Sequence, residues 1–271
     1  MSDRIKIKSG IEWNYCLEGE GHTLLFLHGW GVDQRIWRQQ TKHFSDTYQV
    51  LSVDLPGHGE SSWKKVPLKV MAEDLNGLLE YLQISNISLV GSSLGGLLGL
   101  KIYELAPQKI KRLVFVGSMP RFSKAADYPY GLDVEKIRKL DGQVQADYPD
   151  IVNVFFRSLF TKAERQTRRF RWLQRFRRTE GFPVKQALRE YLEVLEHEDL
   201  RDVLKRVSVP TQFINGREDA ICDSKTVDFL KSICPQARFE FFEGCGHFPF
   251  LSKPYEFNDM LEKFLQDAKN S

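Results

Sequence analysis

Cysteine is scarce in this chain: Cys16, Cys222, Cys234 and Cys245 are the only four among 271 residues, and none forms a C-x-x-C pair. That usage excludes a disulfide scaffold and suits free thiols in a reducing compartment. An apolar leader is also missing. MSDRIKIKSG carries charge from its third residue, so no secretory signal is expected. The longest uncharged run, Tyr81 to Leu100, approaches membrane-spanning length but holds Gln83, Ser85, Asn86, Ser88, Ser92, Ser93 and four glycines. A bilayer would leave those polar groups unsatisfied, and a cytoplasmic protein is expected. Internal repeats, low-complexity tracts and linkers are absent as well. At 42% hydrophobic and 28% charged residues the chain can bury a sizeable core.

Nor is there a large charge of one sign. The 39 basic and 36 acidic residues leave +3, but the balance is uneven. Between Arg157 and Arg178 nine basic residues (Arg157, Lys162, Arg165, Arg168, Arg169, Arg171, Arg175, Arg177, Arg178) face one acid, Glu164. That block is +8, which leaves −5 for the rest (3 − 8).

Hydrophobic periodicity sets the architecture. Alternation over Arg4–Lys8 and Ile11–Leu17 predicts a hairpin turning at Ser9-Gly10. Leu24–Leu27, Val50–Val53, Ile87–Val90 and Leu113–Val116 read as short buried strands, separated by helical patterns ending at Phe44, Leu82 and Leu105. Strand and helix signals resume with Thr211–Ile214, Ser224–Ser232, Arg238–Phe242 and Pro254–Gln266. Regular alternation of strand and helix implies an α/β fold, a mostly parallel sheet with helices on both faces. From about Pro120 to Val207 the pattern is polar, aromatic and helical. We expect residues 1–119 and 208–271 to form the core and 120–207 a helical cap.

Gly91-Ser92-Ser93-Leu94-Gly95 fits G-x-S-x-G between a strand and a helix. The turn is so tight that side chains two before and two after the serine would collide, and the hydroxyl of Ser93 is exposed at a helix start. By composition alone about one random chain in ten carries the motif, so its placement supplies the weight. A serine needs a base. Of the six histidines, His247 is the one that follows both Ser93 and a late strand; His197 and His43 read as solvated surface residues. The acid should end the preceding strand. Asp219, 28 residues before His247, is preferred over Glu218 and Asp223, which read as loop polarity. His28-Gly29-Trp30-Gly31 follows the first buried strand, so the amides of Trp30 and Leu94 are the natural oxyanion donors. The Trp30 indole is either core or a wall of an acyl pocket.

Along nearly its whole length the chain resembles the α/β-hydrolase fold superfamily, with an eight-stranded sheet. Within it the chain is similar to the pimeloyl-acyl-carrier-protein methyl ester esterases of biotin synthesis, the BioH family. The matching segments are Leu27–Gly31 with Trp37, Asp54–Gly59, Gly91–Gly96, Gly246–Phe250 and, late in the insertion, Tyr191–Leu195 and Asp199–Arg201. The resemblance implies Ser93 as nucleophile with His247 and Asp219, and substrate contacts at Trp30, Leu94, Phe156 and Phe160. The chain departs from the family at Ser92, where tryptophan is usual, and at Phe160, where a polar residue is expected.

On a helical wheel Arg165, Arg168, Arg171, Arg175 and Arg178 share one arc, and Phe170, Leu173 and Phe176 another. Arginine suits phosphate and carboxylate recognition, so Arg157, Arg165, Arg168, Arg171 and Arg175 are candidates for docking an acidic acyl carrier protein. The bland alternative is a solvated cap face. Nucleic acid and membrane are the rival partners; with no reader motif, neither is expected. The expectation is a monomeric serine carboxylesterase without metal or cofactor. It would cleave the methyl ester of a carrier-bound dicarboxylyl chain. Generic esterase, thioesterase, C–C hydrolase and menaquinone-pathway lyase activities use the same triad, and a non-turnover ligand-binding protein remains the alternative of another class.

Overall fold

A computed structural model describes residues 2–178 and 181–267, apart from the side chains of 176–178. The chain opens with the antiparallel pair β1 (Ser2–Lys6) and β2 (Glu12–Glu18), followed by β3 (Thr23–Leu27), α1 (Arg38–Phe44) and β4 (Gln49–Val53). Next come α2 (Leu68–Tyr81), β5 (Ile87–Ser92), α3 (Leu94–Leu105) and β6 (Ile110–Val116). Five helices then intervene: α4 (Val134–Asp147), α5 (Asp150–Ser158), α6 (Arg168–Arg178), α7 (Lys185–His197) and α8 (Arg201–Lys205). The chain returns through β7 (Thr211–Gly216), α9 (Val227–Ile233), β8 (Arg238–Phe242), the short α10 (Pro249–Ser252) and α11 (Pro254–Asp267).

The sheet runs β1-β2-β4-β3-β5-β6-β7-β8. Pairings are parallel from β4 onward, while β2 meets β1 and β4 antiparallel. Every residue of β3 and β5 is buried, as expected of strands covered on both faces. Successive side chains point to opposite faces, so each strand feeds two cores. Leu25, Leu27, Leu89, Leu113 and Phe115 pack with Leu75, Leu78, Leu97 and Leu98 of α2 and α3. Leu24, Phe26, Val90, Val114 and Val116 pack on the other side with Phe44 of α1 and Phe257 and Leu261 of α11. The runs read from the sequence as short buried strands are therefore the ones that serve both layers.

Between β6 and β7 the insertion is helical, with two isolated bridges, Ser123–Leu132 and Ala125–Tyr128. Its backbone is tied to the turns that follow β3 and β4: the Trp30 indole N–H donates to Leu188 O at 2.9 Å, and Val184 N–H donates to Gly57 O at 2.7 Å. The insertion thus lies over the carboxyl ends of the strands, where open α/β sheets form their ligand crevices.

Candidate active site

Ser93 sits between β5 and α3 at φ 53° and ψ −119°, a backbone conformation that L-residues avoid. Such a residue costs about 1–3 kcal/mol and persists only where its surroundings hold it. Here its N–H donates to Val116 O at 2.9 Å, and the Ser118 hydroxyl donates to Ser93 O at 2.8 Å. The flanking glycines are sterically compelled. A Cβ on Gly91 would lie 2.5 Å from Gly96 Cα, and one on Gly95 would lie 2.4 Å from Leu27 O. Ser93 therefore stands at the positive end of α3 with its hydroxyl facing the crevice.

His247 follows β8 and is buried, its Nδ1 at 2.8 Å from Asp219 Oδ2. Asp219 follows β7, also buried, and its Oδ1 accepts the Ile221 N–H at 2.8 Å. Burial alone would raise the pKa of this carboxyl. The charge and hydrogen bond of His247 and the N–H groups of Ile221 and Cys222 outweigh it and hold Asp219 below the ordinary carboxylate range. With a carboxylate accepting at Nδ1, the imidazole keeps its lone pair at Nε2. The competing acids point elsewhere: Glu218 is exposed, and Asp223 caps a short turn through the Lys225 N–H at 3.0 Å. His197 and His43 lie on the surface, each with Nε2 near a carboxylate, 3.7 Å from Glu196 and 3.6 Å from Glu262.

Ser93 and His247 line one cavity of about 290 Å³. Its wall is apolar, built by Trp30, Phe122, Phe155, Leu159, Leu192 and Leu195, with Lys136 and Gln143 as polar exceptions. The Trp30 indole packs edge-on against Phe155 at 4.8 Å, so it is a wall of the pocket. Leu94 is buried beneath, its side chain in the core behind α3. Phe156 and Phe160 do not reach the cavity. They turn to the opposite core, where they pack on each other at 5.1 Å and on Phe248 at 6.0 and 5.8 Å. Phe156 lies on α5 and Phe160 just beyond its end, and both pack behind Phe248, which lines the cavity together with Phe155 and Leu159.

Two histidines quoted only within motifs brace the Gly29–Gly31 loop after β3. His28 Nε2 accepts the Leu55 N–H at 2.9 Å, and its Nδ1 faces Gly29 O at 2.8 Å. His58 Nε2 accepts the Gly31 N–H at 3.2 Å, and its Nδ1 faces Pro56 O at 3.3 Å. Each ring uses one nitrogen as acceptor and the other as donor, which is the neutral tautomer's pattern. Burial pushes the His28 pKa down, consistent with that state. Gly117 carries no motif, yet His247 lies against it. At φ +54°, a Cβ there would come within 2.9 Å of the imidazole. A glycine following a central strand was the sole signal in the sequence.

Asp219, Cys222 and His247 bring their donor atoms within 4.8 Å of one another. As a metal cage the set is poor. The carboxylate is already engaged by His247 and two backbone N–H groups, and burial pushes the Cys222 thiol well up, keeping it protonated.

On α6, Phe170 and Leu173 are buried while Arg168, Arg171 and Arg175 are exposed, as the helical wheel implied; the side chains of Phe176 and Arg178 lie outside the described residues. Arg157 on α5 is exposed with its guanidinium 5.9 Å from the Phe170 ring centre, and Arg165 Nε donates to Thr161 O at 3.3 Å. Among the described residues these five arginines form no ion pair with an acid, whereas Arg4, Arg121, Arg138, Arg189, Arg201 and Arg238 all do. No helix among the described residues is long and apolar enough to cross a membrane.

A family model described as the alpha/beta hydrolase fold matches residues 22–254, and the chain belongs to that family. The solved esterase from Exiguobacterium antarcticum shares the fold with a TM-score of 0.89 at 24% identity, over 98% of this chain and all of that one (100%). Within the family the chain is similar to the pimeloyl-acyl-carrier-protein methyl ester esterase of Nitrosomonas europaea, 32% identical over 244 residues, 88% of this chain and 94% of that one. A protein of the same name from Klebsiella pneumoniae is 31% identical over 254 residues, 93% of this chain and 96% of that one. The chain is a member of this esterase group and a carboxylic ester hydrolase.

Proposed function

We propose that the protein hydrolyses the methyl ester of a pimeloyl-type acyl chain carried on an acyl carrier protein, through an acyl-enzyme on Ser93. The observation that carries this reading is the buried 2.8 Å pair of His247 and Asp219, with His247 lining an apolar cavity beside a serine in a strained turn. In this reading His247 Nε2 takes the Ser93 proton as the hydroxyl attacks the ester carbonyl. The amides of Trp30 and Leu94 hold the oxyanion, His247 returns the proton to methanol as it leaves, and water repeats the cycle to free the carboxylate. Asp219 fixes the ring tautomer and stabilises the imidazolium. This sequence of steps asks for no metal or cofactor.

Residues 120–207 act as the cap, supplying the pocket wall through α4, α5 and α7. Arg157, Arg165, Arg168, Arg171 and Arg175, which form no ion pair among the described residues, make the docking face for the acidic carrier protein, whose phosphopantetheine arm would thread the acyl chain inward. Supporting this, the named activity of the relatives is on a carrier-protein-linked methyl ester. The cytoplasm, where such carriers reside, is the compartment this reading requires.

The test is methanol release from purified protein given carrier-linked and free methyl esters of several chain lengths. Release from the carrier-linked seven-carbon ester, lost by a factor of about 10⁶ in kcat in Ser93→Ala, is the expected result. No methanol from any of these esters, with turnover of a thioester instead, overturns the substrate assignment.

A further inference from the structure

Glu164 is the lone acid in the basic block, and it is buried. Its Oε2 accepts the Thr161 N–H at 2.6 Å and the Gly246 N–H at 3.0 Å, and its Oε1 accepts the Ser252 hydroxyl. One residue on, the His247 N–H donates to Leu159 O at 2.8 Å. Two consecutive amides of the His247 loop are therefore held by the insertion, one through the Glu164 side chain and one through its backbone. The approach is close: a Cβ on Gly246 would lie 2.3 Å from Leu159 O. Glu164 itself is fixed in place, its N–H on Thr161 Oγ1 at 3.0 Å and its carbonyl accepting the Thr167 hydroxyl at 2.7 Å.

We propose that Glu164 is a positioning residue for His247, fixing the backbone from which the imidazole projects so that the ring stays between Asp219 and the Ser93 hydroxyl. The proposal rests on the reading of His247 as the base. Glu164 does not line the cavity with Ser93 and touches no reacting atom; it acts through residues 246 and 247. A carboxylate suits the task because it accepts from several donors at once, and a buried Gly246 N–H left without a partner would move the loop.

The experiment measures kcat, KM and the pH profile of kcat/KM on a soluble p-nitrophenyl short-chain ester, per folded molecule. Glu164→Ala is expected to lower kcat roughly 10-fold to 100-fold, the scale of a misplacement near 1 Å, with KM within about threefold. The limb of the profile set by the imidazole is expected to move, by about half a pH unit or more. Glu164→Gln, which keeps an oxygen for the Gly246 N–H, is expected to restore kcat to within about fivefold of wild type. If Glu164→Ala does not fold, Ser252→Ala, which frees Oε1 alone, is expected to lower kcat about threefold with the same displaced limb. A kcat and limb unchanged in whichever variant folds overturns the proposal. So does a Gln variant as slow as Ala on an unmoved limb, since the loss is then one of packing. His247→Ala separates the two readings. Inactive His247→Ala beside unaffected Glu164→Ala removes this inference alone, while active His247→Ala removes both.

Discussion

Replacing Asp219 by asparagine exchanges one carboxylate oxygen for an amide nitrogen in a site with no solvent to absorb the difference. Both oxygens are in use: Oδ2 toward His247 Nδ1 and Oδ1 toward the Ile221 N–H, each at 2.8 Å. Asparagine can accept at only one of these places. Turning its NH₂ toward Ile221 would set two donors face to face in a buried position, at about 1–3 kcal/mol. Turning it toward His247 costs less, because the imidazole can move its proton to Nε2 and accept at Nδ1. The backbone N–H has no such option, so the second arrangement wins. It leaves Nε2 protonated and unable to take the Ser93 proton, and it removes the charge that stabilises the imidazolium. The expected loss is about 10⁴ in kcat, or about 5 kcal/mol of barrier, with the variant still folded. Hydrolysis of a p-nitrophenyl short-chain ester measures the first and a thermal melt the second. An Asn variant keeping more than about 1% of wild-type kcat would refute the tautomer argument, since a loss below 100-fold fits only lost packing.

Charge reversal at Arg168, Arg171 and Arg175 together is expected to raise KM for a carrier-linked ester about tenfold at low salt, to converge with wild type as salt rises, and to spare a free methyl ester. Equal losses on both substrates would remove the docking argument. Gly95→Val is expected to destabilise the fold by about 3 kcal/mol or more in denaturant unfolding, because its Cβ meets the Leu27 carbonyl, which is backbone and cannot give way. Gly142→Ala on α4, where a Cβ meets nothing within 4 Å, is expected to stabilise by about 0.5–1 kcal/mol; a loss of stability there would count against the helix as described. Asp219 has a depressed folded-state pKa, so the unfolded chain binds the proton first on acidification. The group therefore contributes stability above its unfolded pKa near 3.8, and that contribution disappears as pH falls through the lower folded value. An acid titration of unfolding free energy should slope less below about pH 4 in Asp219→Asn than in wild type, and identical slopes would contradict the shift.

Much of the architecture was legible because it rests on local rules. The run Leu94–Leu105 and the strand Arg238–Phe242 stand where the periodicity put them, and β5 and β6 extend slightly past their apolar stretches, to Ser92 and back to Ile110. The glycines of the elbow were legible for the same reason, since a turn that tight admits no Cβ at 91 or 95. Phase within α5 was not. Its apolar residues cover more than one face because the helix has a pocket on one side and a core on the other. Nothing in the pattern says which side meets a ligand, so it could not separate Phe155 and Leu159, which line the cavity, from Phe156 and Phe160, which pack behind Phe248. Glu164 carried no signal in the sequence for a related reason. A single acid among arginines looks like solvated surface charge, and only the three-dimensional position of Gly246, 82 residues later, reveals two backbone donors converging on it.

The insertion is therefore more than a roof. It places Phe155 and Leu159 in the cavity wall, and from the end of the same segment it gives Leu159 O to the His247 amide and the Glu164 carboxylate to its neighbour. Two residues beyond the Glu164–Gln166 turn begins α6, whose Arg168, Arg171 and Arg175 form no ion pair among the described residues, with Thr167 bonded both to Glu164 O and to the first turn of the helix at Phe170 N. A path of hydrogen bonds thus joins the cationic face to the loop backbone at Gly246 and His247. Substitutions on α6 that remove charge without disturbing Thr167 should act on carrier-linked substrate alone. Thr167→Val, which cuts both bonds and keeps every charge, should instead slow the free ester as well, by about threefold or more in kcat. Measuring the two variants side by side on the two substrates separates docking from positioning, and a Thr167→Val enzyme indistinguishable from wild type on the free ester would sever the path.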